Sequence, residues 1–193
     1  MSVVSVAREA YEAALPALGA SLVGGLLAGV VLGGMRAELR AVEGLLVLVP
    51  ALLATRGNVY GSFGARLSTG LHQGLIEPRV EVGDERLRGA AAAALGNGIL
   101  ASVVAAVAVF FILTVLGDAV APLASLVAIS FIAGLLSGIA LTVVVVGVVF
   151  TGYRRGHNPD TLVGPVVTTT GDVFGIAFLL LSVRFVLALG GGG

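Results

Sequence analysis

Residues 163–184 read VGPVVTTTGDVFGIAFLLLSVR. As a helix this stretch is long enough to cross a bilayer, which takes about 20 mainly apolar residues. Its interior carries a single charge, Asp172, with no basic residue close by in sequence to pair with it. A carboxylate at bilayer depth costs about 2.5–3.5 kcal/mol even on a lenient insertion scale. Such residues face a bundle interior or a wet cavity and mark ion paths, proton relays or counter-ions. Thr168 and Thr169 stand four and three positions before Asp172, so a helix puts two hydroxyls on its face. The bland alternative is a structural carboxylate bonded to a neighbouring helix.

The rest of the chain agrees with a membrane reading. It is 58% hydrophobic and 11% charged, with mean hydropathy +1.09. This points to an all-α polytopic membrane protein. The alternating ten-residue strands of a transmembrane barrel are absent. The formal net charge is +0 and there is no basic tract, which argues against a nucleic-acid partner. With no cysteine, thiolate metal sites, disulfides and Cys nucleophiles are excluded. Every basic residue is Arg, so Lys Schiff-base and Ser–Lys chemistry are excluded too. Met1–Glu12 does not resemble the start of a cleavable signal peptide and is expected to be a short cytosolic segment.

Five spans are expected within a transport domain at 13–187: Ala13–Gly34, Leu45–Leu71, Gly89–Leu116, Pro122–Thr151 and Thr161–Leu187. Residues 188–193 are expected to form a flexible Gly-rich tail. Arg8, Arg66, Arg79, Arg86, Arg88, Arg154 and Arg155 flank one side, and Arg36, Arg40 and Arg184 the other. That asymmetry puts the N-terminus in the cytosol, and an odd number of spans puts the C-terminus outside the cell membrane. Ser21, Gly25, Gly29 and Gly33 in the first span, and Ser130, Gly134, Gly138 and Thr142 in the fourth, repeat every four residues and predict helix-packing seams.

The second span is the most polar. It reads PALLATRGNVYGSFGARLST from Pro50 to Thr69, with Thr55, Asn58, Ser62 and Thr69 near one helical face. Pro50 cannot donate to the carbonyl of Leu46, and Gly57 weakens the helix further. In the fifth span, Asn158-Pro159-Asp160 predicts a capped start and Pro165 frees the carbonyl of Thr161. Both helices are therefore expected to be kinked or broken, and irregular backbone at this depth is tolerated only in protein or beside water. Such carbonyls, with an amide and a carboxylate, suit a hard cation. One carboxylate is meagre for a divalent ion, but a two-fold dimer with Asp172 near its axis supplies two. Mg²⁺ keeps several of its waters and is bound through one or two carboxylates. Arg56 is expected either to pair with Asp172 or to snorkel to the interface.

The runs Pro50…Arg56-Gly57-Asn58, Arg66-Leu-Ser68-Thr69 and Asn158-Pro159-Asp160…Gly164-Pro165…Thr169-Thr170-Gly171-Asp172 resemble the membrane domain of MgtE-type magnesium transporters, in the form found in solute carrier family 41. The resemblance covers about Leu15 to Leu187. It implies a five-span domain that works as a pair, with the pore at the two-fold dimer axis. It further implies that Asp172 holds the position of the family's central Mg²⁺-binding Asp and that Gly57-Asn58 match the element lining the pore. Arg56 stands where MgtE-type proteins often have a second Gly. The large cytosolic region that precedes the first span in bacterial MgtE has no counterpart in Met1–Glu12, so sensing by that route is not expected. One such domain per chain implies a homodimer, or a heterodimer with a sister chain.

The candidate residues on the ion path are Asp172, Asn58, Gly57, Thr168, Thr169, Gly164 and Asp160. Mg²⁺ is the expected cargo rather than a cofactor, and no catalytic residue is expected. Two other classes compete: a structural membrane subunit without transport, and an intramembrane aspartyl protease. The latter needs two carboxylates sharing a proton, and no second Asp or Glu lies well inside a span. Glu77, Glu81, Asp84 and Glu85 are read as a solvated loop, and Asn97 as either a packing or a pore element.

Overall fold

The computed structural model describes residues 3–79, 84–156 and 159–190, with only some of the side chains in 3–17 and none at 159–162. Six helices make up the described chain: α1 (Val3–Gly34), α2 (Arg36–Ala41), α3 (Leu45–His72), α4 (Glu85–Leu116), α5 (Leu123–Arg154) and α6 (Pro159–Ala188). No strand occurs among the described residues. The long helices fall where the spans were expected. Four contain a segment long and apolar enough to cross a membrane: Leu45–His72, Glu85–Leu116, Leu123–Arg154 and Val163–Ala188. The apolar part described for α1, Leu18–Gly34, is shorter.

Local chemistry fixes the helix ends. Asp84 caps α4, its Oδ1 accepting from the backbone N–H of Arg86 at 2.9 Å and of Leu87 at 3.0 Å. Gly117, at φ 76°, closes the other end of α4 in the left-handed conformation that glycine adopts without penalty. Asp84 is thus a helix cap in the expected loop, and Glu81 lies outside the described residues. Pro159 opens α6, but Asn158 and His157 lie outside the described residues, so the expected cap is not described.

Of the two outcomes expected for these spans, kinked or broken, the second does not occur: neither proline breaks its helix. α3 is continuous through Pro50 and Gly57, and α6 through Pro165. A helix proline removes one hydrogen bond and strains the preceding turn. Around Pro50 the chain is pinned by Leu48, Val49 and Leu52, all buried, and that packing holds the helix together.

The core has two halves. One joins Met35, Val42, Leu45, Leu48 and Leu52 to Leu113, Leu126, Ile129, Ile176, Leu179 and Val183. The other joins Tyr60, Phe63, Leu67 and Leu71 to Leu87, Leu141, Val145, Val149, Val163 and Val167. Outward-facing positions are equally apolar, among them Leu22, Val30, Leu100, Val104, Val115 and Val143. That is the pattern of a bundle solvated by lipid, where close packing rather than burial from water joins the helices.

The small-residue seam of α5 is borne out. Gly134 faces Ser102, and Gly138 faces Leu95 and the Tyr60 hydroxyl. The seam on α1 is displaced. Gly24, not Gly25, meets α6, lying against Thr169, while nothing lies within 4 Å of a Cβ built on Gly25, Gly29 or Gly33. A strict four-residue repeat drifts around a helix of 3.6 residues per turn, and the contacting stripe is Ser21, Gly24 and Ala28.

α2 was not expected. Its Glu38 is buried, and Arg184 of α6 donates through Nε to Glu38 Oε1 at 2.8 Å. This bond, with the nearby positive charge, holds the Glu38 carboxyl below its ordinary range. At the opposite end of the bundle, Arg86 donates to the carbonyl of Leu75, Tyr153 to that of Leu71 and Arg154 to that of Pro78. Arg184 and α2 therefore share one end, and Arg86 and Arg154 the other.

Candidate functional site

α6 is flanked by α1, α3 and α5, and Asp172 sits half-buried on it. Gly171 is buried against Leu141 of α5, and the next position turns toward the less covered side. Thr168, one turn earlier, is exposed; its hydroxyl donates to the carbonyl of Gly164 at 2.9 Å, leaving the oxygen's lone pairs open. Gly164 is also exposed, with nothing within 4 Å of a built Cβ. Asp172, Thr168 and Gly164 thus share a partly open face.

Thr169 belongs elsewhere. It donates to Ser21 Oγ at 3.2 Å and presses its methyl on Gly24. It joins α6 to α1 and is not an open hydroxyl beside Asp172. Asp160 lies in the first turn of α6, but its side chain lies outside the described residues.

On α3, Asn58 is exposed and lines a groove of about 250 Å³ with Ser62, Arg66, Ala90, Ala93 and Asn97. A wider groove of about 730 Å³ continues toward the α3–α4 turn past Thr69, Gln73, Glu85 and Arg86. Asn58, Ser62, Arg66, Thr69 and Gln73 follow one another at four or three residues, so they form one polar stripe along α3. Facing them, α4 offers Gly89, Ala90 and Ala93. Asn97 therefore lines a groove, which the spacing of its two flanking glycines did not reveal. The stripe itself was partly legible, since a helical projection extended from Asn58 reaches Arg66 and Gln73.

Asp172 is not among the residues that line this groove. Gly57 is half-buried with no atom within 4 Å of a built Cβ. Among the residues of α3 that face α6 is Arg56, packed on Gly175 beside Leu53. It is buried and its three guanidinium nitrogens have no acceptor. Neither expectation for Arg56 is met: it does not snorkel and it does not pair with Asp172. No group of three or more His, Cys, Asp or Glu that could hold a metal ion occurs among the described residues. A cation held by direct protein ligands alone would need more carboxylates than one protomer offers, whereas a hydrated ion needs one or two.

A family model described as MgtE, divalent cation transporter, matches residues 49–182. Human solute carrier family 41 member 2 is 32% identical over 148 residues, covering 72% of this chain and 25% of that protein. Rat solute carrier family 41 member 3 is 31% identical over 188 residues, covering 94% of this chain and 40% of that protein. The frog (Xenopus laevis) member 2 is 33% identical over 140 residues, covering 69% and 24%. The chain thus spans between a quarter and two fifths of the length of these relatives. The matched region runs from α3 to α6 and includes Arg56, Asn58 and Asp172.

Proposed function

This chain belongs to the MgtE family of divalent cation transporters, and from that premise we propose that it carries Mg²⁺ across the cell membrane as a two-fold dimer. The observation that carries this reading is Asp172. It is half-buried on a face it shares with the exposed Thr168, midway along an apolar helix, and it makes no ion pair with any described residue. A deep carboxylate left free on a partly open face is a counter-charge for something that passes.

In this reading α1 also crosses the membrane and brings the spans to five, the N-terminus is cytosolic and the C-terminus outside. Two copies bring their Asp172 carboxylates to one axis. The ion enters hydrated and keeps most of its waters, which the carboxylates, the Thr168 hydroxyls and the carbonyls around Gly164 hold by hydrogen bonds. The Asn58 amides and the backbone at Gly57 join the path only where the open faces of α3 from two copies meet it. The first turn of α6, with Asp160, lies at the mouth.

Asp172→Asn tests this. It preserves size and removes one charge per chain. At an effective dielectric near 20, unit charges ~5 Å apart interact by roughly 3 kcal/mol. Half-exposure reduces that to about 1.5 kcal/mol per carboxylate, or about tenfold in affinity for each of the two. Uptake of Mg²⁺ into proteoliposomes at limiting concentration should fall more than tenfold, with the folded dimer retained. Wild-type uptake by a folded Asp172→Asn protein removes Asp172 from the path.

A further inference from the structure

Arg56 is unused by the reading above, and its surroundings are unusual. It lies midway along α3 and is 3% exposed. Its Nε, Nη1 and Nη2 are each closed off by atoms of the same protomer and meet no acceptor. Neither a dissolved anion nor a second copy of the chain reaches them without rearrangement. The guanidinium rests in a notch made by Gly175: a Cβ there would stand 2.5 Å from Nη1 and 3.0 Å from Leu53 Cδ2. Tyr60, one turn further along α3, is also buried and supplies no acceptor. A buried charge with no compensating partner is strongly destabilising, so a state with an acceptor has a large advantage.

Among the described side chains, Asp172 is the only carboxylate deep within a span. It lies three residues before Gly175 on the same helix, one turn away and about 4.5 Å along the axis. Positions three apart are neighbours on a helix surface. A change of rotamer along the flexible arginine stem spans that distance.

We propose that Arg56 is the internal counter-ion of Asp172 and sets the affinity of the site for its divalent cation. With the cation at the carboxylate, the guanidinium stays in the Gly175 notch. When the cation leaves, the guanidinium moves one turn along α6 and pairs with Asp172. Cation and arginine then compete for one carboxylate, and release does not strand a bare charge in the membrane. This rests on Asp172 being a ligand, as proposed above.

The test measures Mg²⁺-dependent thermal stabilisation of the full chain in nanodiscs, together with the half-saturating Mg²⁺ concentration for uptake. Arg56→Gln removes the competitor and should tighten Mg²⁺ binding roughly tenfold. Arg56→Lys keeps the charge and should stay near wild type. Gly175→Ala keeps Arg56 but fills the notch, displacing the guanidinium toward Asp172, and should weaken binding. Opposite shifts for Arg56→Gln and Gly175→Ala support the proposal. A folded Arg56→Gln protein with unchanged or weaker Mg²⁺ binding overturns it. If Arg56→Gln does not fold, Gly175→Ala decides, and unchanged or tighter binding there overturns it. Asp172→Asn separates the two levels. Wild-type Mg²⁺ binding by that variant defeats the ligand reading itself. Lost binding there, with Arg56→Gln and Gly175→Ala both at wild-type affinity, defeats only the role of Arg56.

Discussion

Gly138→Ala is the substitution that most directly probes how α3, α4 and α5 meet. The phenol of Tyr60 on α3 is held between Gly98 of α4 and Gly138 of α5. A Cβ on Gly138 would collide with the Tyr60 hydroxyl and stand 2.7 Å from Leu95 Cδ1. Tyr60 is 1% exposed, and Gly98 closes its other side so tightly that a Cβ built there would stand 2.8 Å from the hydroxyl. The ring cannot retreat, so α5 must shift. Overpacking of this kind costs about 1–3 kcal/mol. For a chain of this size, a loss of about 2 kcal/mol lowers the melting temperature by about 4–8 °C. Tyr60→Phe removes the colliding oxygen. That hydroxyl makes no hydrogen bond of full geometry; at most a weak side-chain hydrogen bond to Thr142 reaches it, and Thr142 gives its own hydrogen to the Gly138 carbonyl at 2.8 Å. Tyr60→Phe alone should therefore be neutral or slightly stabilising. In the double variant it should recover at least about 1 kcal/mol of the loss, a coupling expected of residues in direct contact. Melting of the four proteins followed by size-exclusion chromatography in one detergent measures the cycle. Additive effects, or a Gly138→Ala protein as stable as wild type, would refute the wedge.

Three further outcomes are expected. The Glu38 carboxyl is lowered by its bond to Arg184, so its stabilising contribution is complete above the unfolded-state pKa and is lost as pH falls through the lower folded value; Glu38→Gln should flatten the acid limb of a melting-temperature profile, and an unchanged limb counts against the clasp. Asp84→Ala should cost about 1 kcal/mol by uncapping α4, with faster amide exchange confined to Arg86 and Leu87; protection identical to wild type counts against the cap. In this cysteine-free chain, an impermeant thiol reagent applied outside intact cells should label Gly192→Cys and not Ser5→Cys, and the reverse pattern overturns the proposed orientation.

The long helices were legible because length and apolar content alone fix them, and the Arg residues marked the two ends of the bundle. What escaped was settled by distant contacts. α2 is a helix of 6 residues tied to Arg184, far along the chain. The α1 seam shifted by one residue because Thr169 chooses Gly24. Arg56 could be read as snorkelling or paired until Gly175 was seen to shape a notch for it. Of the candidate ion-path residues, the shared face of Asp172 and Thr168 follows from helical spacing alone. The turning of Asn58 toward α4, away from α6, does not, since spacing says which residues share a face but not what that face meets.

The polar stripe on α3 bears on how the chain is made. It is the least apolar of the four candidate spans, and α4 the most. A segment carrying Asn58, Ser62, Arg66 and Thr69 enters lipid poorly by itself, because each polar group must find a partner once water is gone. α4 follows α3 directly in the chain, and its small residues Gly89, Ala90 and Ala93 let it draw close along that stripe. Biogenesis should therefore treat α3 and α4 as a unit, with the later, greasier helix carrying the earlier one into the bilayer. A ribosome stalled just after His72 should leave α3 waiting at the translocon, still able to slip back.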